Sequence, residues 1–188
     1  MAIGGSKTRR VRGTRGFSLV EVVTAMFILT IGLVSILTLF STAIAYLQSS
    51  QEDLVCKQKA RETMEAIYTA RENTQLTFDN INNTTTSPGI FLTGFQPLSA
   101  PGSDGLVGNN SSAPVEQMVY PGPDGILGTA DDQIITLNNY KRQITFSPVT
   151  ISGATSPDIR QLQITIQFVD SRGRTRSYTL TSMISRYR

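Results

Sequence analysis

Histidine and tryptophan are absent from the 188 residues, and cysteine occurs once. Without histidine there is no imidazole proton shuttle, no Ser-His-Asp or Cys-His machinery and no histidine-ligated metal. A single thiol closes no internal disulfide and builds no cysteine-rich zinc site. Proline is missing before Pro88, so nothing upstream interrupts a helix in the way that residue does. Acid is missing from residues 1–16, which hold Lys7, Arg9, Arg10, Arg12 and Arg15. The formal charge of +3 therefore divides unevenly: the leader carries +5, and the remaining 12 Lys+Arg face 14 Asp+Glu, a net −2. Basicity belongs to one end of the chain and is no sign of a body built to bind nucleic acid. About 190 residues fit one domain with an appendage.

Straight after the leader, residues 17–47 hold 22 apolar residues of 31, with Glu21 as the sole charge. At about 1.5 Å per helical residue this run spans a hydrocarbon core of roughly 30 Å. The basic flank predicts a cytoplasmic N-terminus with the bulk of the chain across the membrane. No small-residue cleavage pattern ends the run, so it reads as a retained anchor and not an ordinary secretory signal. A carboxylate inside such a helix costs about 2.5–3.5 kcal/mol on insertion scales. Glu21 therefore either snorkels to the cytoplasmic interface or has a partner.

The run Gly16-Phe17-Ser18-Leu19-Val20-Glu21 resembles the type IV prepilin signal. The resemblance rests on the basic leader, the Gly, the Phe, the Glu four positions after it, and the long apolar helix. It implies cleavage after Gly16 by a membrane-embedded prepilin peptidase and methylation of the new amine of Phe17. It also implies a partner for Glu21, the N-terminal ammonium of Phe17 in a neighbouring subunit, so that Glu21 and Phe17 form an assembly charge pair.

Ala25 and Gly32 within VVTAMFILTIGL are similar to V-type minor pilins and I-type minor pseudopilins of type II secretion. Major pilins usually carry a Pro further along this helix, yet positions 33–47 have none, and many have a C-terminal disulfide that Cys56 alone cannot form. Glu21 argues against the extreme-tip pseudopilin, which typically lacks it. The implied role is that of a minor subunit that primes or builds into a type IV pilus or a type II secretion pseudopilus. Both use the same signal. Implied partners are the prepilin peptidase, other pilins or pseudopilins, an inner-membrane assembly platform and membrane lipid. The implied location is the bacterial inner membrane as precursor, with the C-terminal part periplasmic, and then the filament. The alternative is a membrane-anchored envelope protein that binds a ligand, a surface or DNA and never polymerises. An enzyme would have only carboxylates, hydroxyls, Lys and Arg to work with; no catalytic motif of these is present, and no catalytic residue is assigned.

The expected architecture is α+β: a long N-terminal helix, membrane-spanning in its first half, packed on a C-terminal antiparallel sheet in the pilin manner. Three segments are expected: residues 1–16 removed on maturation, 17–47 as filament-core helix, and 48–188 as a soluble domain. The helix should run to about residue 74, with Cys56, Ala60, Met64 and Ile67 as its apolar stripe. Gln51, Glu52, Asp53, Lys57, Lys59, Arg61, Glu62, Glu65 and Arg71 form its solvated face. Glu62 has Ala66 four positions on, so it has no i,i+4 partner there, and simple ion pairing is not the expected design of this face. Cys56 reads as a buried inert thiol, with redox or crosslinking roles as the alternative.

Residues 73–112 read as a long variable loop, and their Asn-x-Ser/Thr matches at Asn82, Asn83, Asn109 and Asn110 as accidents of composition. The sheet is expected within 113–188, from strands at 115–120, 133–137, 142–149 and 160–170. In the last of these, Leu162, Ile164, Ile166 and Phe168 alternate with polar residues. A turn at Asp170-Ser171-Arg172-Gly173 leads into a return strand with Tyr178, Leu180 and Ile184 on one face.

Two further features invite a function. Pro101-Gly102-Ser103-Asp104-Gly105-Leu106-Val107-Gly108 recurs twenty positions on as Pro121-Gly122-Pro123-Asp124-Gly125-Ile126-Leu127-Gly128. Asp124, Asp131 and Asp132, with Asp104 as a weaker contributor, offer oxygen ligands for Ca²⁺ on a Gly-rich loop. The plain alternative is a pair of Asp-Gly turns. The second feature is the basic set Arg160, Arg172, Arg174, Arg176, Arg186 and Arg188. It reads as a charged hairpin edge that discourages aggregation, in preference to a DNA-phosphate surface, because little aromatic residue is interleaved.

Overall fold

A computed structural model describes residues 16–170 and 173–187. The leader before Gly16, Ser171, Arg172 and Arg188 lie outside the described residues. The chain divides into two compact units, 1–45 and 46–188.

Helix α1 runs over Leu19–Glu72, as expected to within two residues. Its start is fixed by Ser18, whose carbonyl accepts from the N–H groups of Glu21 and Val22. In the first unit the apolar side chains face outward, and this stretch is long and apolar enough to cross a membrane. Its hydroxyls do not contradict that. Thr24, Thr30, Ser35, Thr38 and Thr42 each donate back to the carbonyl four residues earlier, at 2.7–3.1 Å. Hydrocarbon offers no water to such groups, so a polar atom there must be satisfied within the helix.

In the second unit the helix buries one stripe against a sheet. Cys56, Ala60 and Ile67 are fully buried and Met64 packs partly against the same core. The four-stranded antiparallel sheet has the order β1 (Gln96–Pro97), β4 (Tyr140–Ile151), β5 (Ala154–Val169), β6 (Thr175–Ser185). Its inner face is a ladder set by register, with Ile144 opposite Ile164 and Ile164 opposite Leu180, and Phe146 opposite Leu162. The expected strands fall short of the β4–β5 tip, because Ser152 and Gly153 close it as a two-residue turn with both φ positive. Strand β6 tracks the helix: Tyr68 hydroxyl bonds to Ser182 at 2.8 Å and Arg71 to the Tyr187 carbonyl at 3.1 Å.

Two expectations are corrected here. The 113–188 region is not one sheet: β2 (Gln117–Tyr120) and β3 (Gln133–Thr136) form a separate two-stranded ribbon. The 73–112 segment is also more than a loop. It supplies Leu76, Phe78, Ile81, Phe91, Leu98, Leu106 and Val107 to buried positions. These side chains follow no helical or strand period, so pattern reading passes over them.

Candidate functional site: the amino-terminal segment

Gly16 stands in open space, with no atom within 4 Å of where a Cβ would lie. Phe17 is 81% exposed. Glu21 follows one helical turn later, also exposed, and its carboxylate makes no ion pair among the described residues. Phe17 and Glu21 line one shallow apolar recess of about 520 Å³ with Val22, Ala25, Met26 and Leu29. The geometry thus sets an accessible Gly-Phe bond beside an unneutralised carboxylate on an otherwise apolar surface. Such an arrangement suits a peptidase that reaches the bond from outside, and leaves the carboxylate open to a cation from beyond the described residues.

Together, the long N-terminal helix and the antiparallel sheet packed on its outer half make an α+β, pilin-like arrangement, whose outward-facing apolar stretch is long enough to cross a membrane. Residues 11–44 match the family described as the prokaryotic N-terminal methylation motif. That match supports a type IV prepilin-like origin for this segment and implies prepilin peptidase processing and pilin-like assembly. No curated protein and no solved structure matches the chain.

The carboxylates of the acidic loop each accept a hydrogen bond from the loop itself. Asp124 accepts the Ile126 N–H at 2.9 Å, and Asp132 accepts the Gly128 N–H at 2.6 Å. Asp131 accepts the Thr129 hydroxyl at 2.6 Å. That bond, opposed by slight burial and aided by backbone N–H groups of Asp131 and Asp124, holds the Asp131 carboxyl below its usual range. Asp131 also packs so closely on Gly122 that any Cβ there would collide with it. Asp104 accepts the Leu106 N–H at 3.0 Å and the Asn109 amide at 2.7 Å. Among the described residues, no three Cys, Asp or Glu gather to hold a metal. The carboxylates lock turns, and calcium gains no support from this arrangement.

The arginine set is likewise spent inside the domain. Arg160 donates to the carbonyls of Phe78 and Ile81 at 2.6 and 2.9 Å, and its guanidinium lies 4.3 Å from the Phe78 ring centre. Arg186 covers the same ring at 4.8 Å and bridges Asp79 and Asp158 at 3.0 Å each. Arg174 pairs with Asp170 at 3.1 Å, and Arg176 with Asp53 at 3.4 Å. Arg160 and Arg186 thus fasten the sheet to the 78–81 turn, Arg176 ties it to the helix, and the exposed Arg174 closes the β5–β6 turn on Asp170. Arg172 and Arg188 lie outside the described residues.

Pattern reading also missed a buried polar seam. Lys59, assigned to the solvated face, is 7% exposed and bonds to Glu116 and, at 2.7 Å, to Glu62. Burial pulls its pKa down, but the two carboxylates more than offset this and leave it raised. Glu62 also accepts from Gln58, four residues before it, at 2.8 Å, so its partners lie upstream rather than at Ala66. Arg142 is 3% exposed; burial lowers its pKa to about 10, with Glu116 and Glu62 acting the other way. It donates to the Thr63 hydroxyl at 3.3 Å and the Ser99 carbonyl at 3.0 Å. No sequence period marks Glu116 or Ser99 as partners of the helix; only the fold brings them there. Cys56 is buried, and burial with Asp53 and Glu52 nearby pushes its thiol up to about 12, which makes it a poor nucleophile.

Proposed function

We propose that the chain is a minor pilin or pseudopilin, processed after Gly16 and built into a type IV pilus or a type II secretion pseudopilus. The observation that carries this reading is the methylation-motif match over 11–44, a span that includes the accessible Gly16-Phe17 bond and Glu21. Hydrolysis of that bond removes the +5 leader and frees an amine on Phe17, which then takes a methyl group. The precursor sits in the inner membrane with its N-terminus cytoplasmic, and the apolar surface of residues 17–47 becomes the filament core. There the Glu21 carboxylate neutralises the Phe17 ammonium of the next subunit. Each charge alone is costly in an apolar surrounding, and together they cost much less. The pair thereby fixes axial register. The lone Cys56 and the lack of Pro in 33–47 favour a minor over a major subunit by resemblance.

The test is the mass and N-terminus of the mature protein in cells with an active prepilin peptidase. A chain beginning at N-methyl-Phe17 supports the reading, and one still beginning at Met1 overturns it.

A further inference from the structure

The sequence repeat is structurally one turn used twice, with opposite outcomes for its apolar pair. In both copies the Asp accepts the N–H two residues on, at 3.0 Å for Asp104 and 2.9 Å for Asp124. In both, the next Gly has positive φ, +73° and +70°, and donates to the carbonyl of the Gly three positions before it. In the first copy Leu106 and Val107 are buried, at 3% and 6% exposure. In the second, Ile126 and Leu127 are each 60% exposed. The ribbon that this second turn joins is also apolar and uncovered, with Val119 opposite Ile134 at 49% and 62% exposure. Beside them stand Asp124, Asp131 and Asp132, which make no ion pair among the described residues. Exposed apolar side chains gathered on one ribbon and its connecting loop mark an interaction surface.

The same domain carries a complementary surface elsewhere. Leu47, Leu54 and Arg61 recur at seven-residue spacing, and Lys57 sits one turn before Arg61, on the face of the helix turned away from Cys56, Ala60 and Ile67. Leu47 and Leu54 are 66% and 62% exposed. Lys57 and Arg61 are exposed and make no ion pair among the described residues. Glu65, a turn beyond, ends the basic stretch.

We propose that the 117–136 ribbon of one copy docks on the Leu47–Arg61 helix stripe of a second copy, Ile126, Leu127, Val119 and Ile134 covering the leucines and the three aspartates facing Lys57 and Arg61. The two surfaces are different parts of the chain, so the contact is heterologous, the kind of contact that a filament repeats. It rests on the filament reading above and says which parts of the soluble domains touch.

The test uses the full-length chain in membranes of a bacterium with a prepilin peptidase, expressed as two tagged copies. One copy carries Leu54→Cys and the other Ile134→Cys, with Cys56 retained because it is buried. A parallel pair carries Leu37→Cys in both copies, to report contact between the apolar helices. A mixed 54–134 disulfide alongside the 37–37 disulfide is the expected result. Lys57→Glu with Arg61→Glu should lower the mixed product about fivefold, the scale of two exposed ion pairs. A 37–37 product with no 54–134 product overturns this contact and leaves the filament reading standing. The absence of both products also overturns the contact, and the N-terminus of the same protein, N-methyl-Phe17 or Met1, then reports separately on the filament reading.

Discussion

Asn83 is the position where a single substitution should be most informative about the domain. The edge of β4 is paired with β1 only at Lys141 and Arg142. Beyond them the Asn83 side chain takes over. Its amide donates to the Ile144 carbonyl at 2.8 Å and its oxygen accepts the Phe146 N–H at 3.0 Å, with a longer contact to the Phe91 carbonyl at 3.4 Å. One side chain thus fills both hydrogen-bonding positions of a neighbouring strand, and it is 8% exposed. Asn83→Ala leaves two buried backbone groups without partners. Each such group costs about 1–3 kcal/mol, and water entering the vacated space recovers part, so a loss of about 2–4 kcal/mol is expected. For a domain of this size that is roughly 5–15 °C in Tm.

The assay is urea and thermal unfolding of the full chain in detergent, followed by the β-sheet circular dichroism. Asn82→Ala is the control, since Asn82 loses only the bond its Oδ1 accepts from the Asn83 N–H at 3.0 Å. Asn83→Asp separates hydrogen bonding from volume. At neutral pH it keeps the acceptor for Phe146 but turns a carboxylate oxygen toward the Ile144 carbonyl, so it should be worse than Asn83→Ala. Below about pH 4 the protonated acid can donate, and the order of the two variants should reverse. An Asn83→Ala variant within about 0.5 kcal/mol of the wild type, or no reversal, refutes the strand-mimic account.

Glu21→Ala should abolish incorporation into filaments while leaving the unfolding curve of the soluble domain unchanged; normal incorporation, read by immunoblot of sheared filaments, contradicts the charge pair. Cys56 should make the fold sensitive to alkali. Its folded pKa is raised to about 12 from the usual thiol range near 9, so between those values the unfolded chain has lost a proton that the native one keeps. Stability is full below pH 9 and falls by up to about 1.4 kcal/mol per pH unit above it, and Cys56→Ala should flatten the fall between pH 9 and 10. A slope identical in Cys56→Ala would locate the effect elsewhere. Lys59→Met should cost about 3–5 kcal/mol, since it strands Glu116 with only the more distant Arg142 for compensation; Glu116→Gln combined with Lys59→Met should recover much of that loss, and an additive double variant counts against a shared pair. Millimolar Ca²⁺ against EGTA should leave the Tm of the full chain unchanged, because the loop carboxylates already have hydrogen-bond partners; a rise of several degrees would restore the acidic loop as a cation site.

Some of this protein is written in the sequence because its physics is local. The apolar run has no charge but Glu21, and nothing except a helix satisfies its backbone in hydrocarbon, so composition alone gives that element. The 160–170 strand is equally open, since strict alternation is what one buried face requires, and Leu162, Ile164 and Ile166 are all fully buried. The Gly16-Phe17 bond and Glu21 were legible as a motif. The polar seam was not. Lys59 sits within the charged rows of a helix and differs from Lys57 only in the angle at which it leaves the axis. That angle matters because Glu116, 57 residues on, arrives beside it through the fold. Asn83 is hidden for the same reason: its sequence neighbours are Asn and Thr, and its partners are 61 and 63 residues away.

The two copies of the Pro-Gly-x-Asp-Gly turn carry this argument one step further. Local sequence sets the turn in both, down to the Asp acceptor and the positive-φ Gly, yet it has no say in whether the apolar pair that follows is covered. Leu106 and Val107 are covered because the 83–108 segment folds back on β4, with the Leu92 N–H on the Gly108 carbonyl at 2.8 Å. Ile126 and Leu127 lie at the end of a ribbon outside the main sheet, where this chain supplies no such cover. A domain that buries this motif once and leaves its second copy open, beside three aspartates with no ion pair among the described residues, presents the kind of surface that association would complete. On the proposed reading of the chain as an assembling subunit, the 54–134 crosslink is the measurement that would carry the assembling surface from the apolar helix into the sheet-bearing unit, and its absence would confine that surface to the helix.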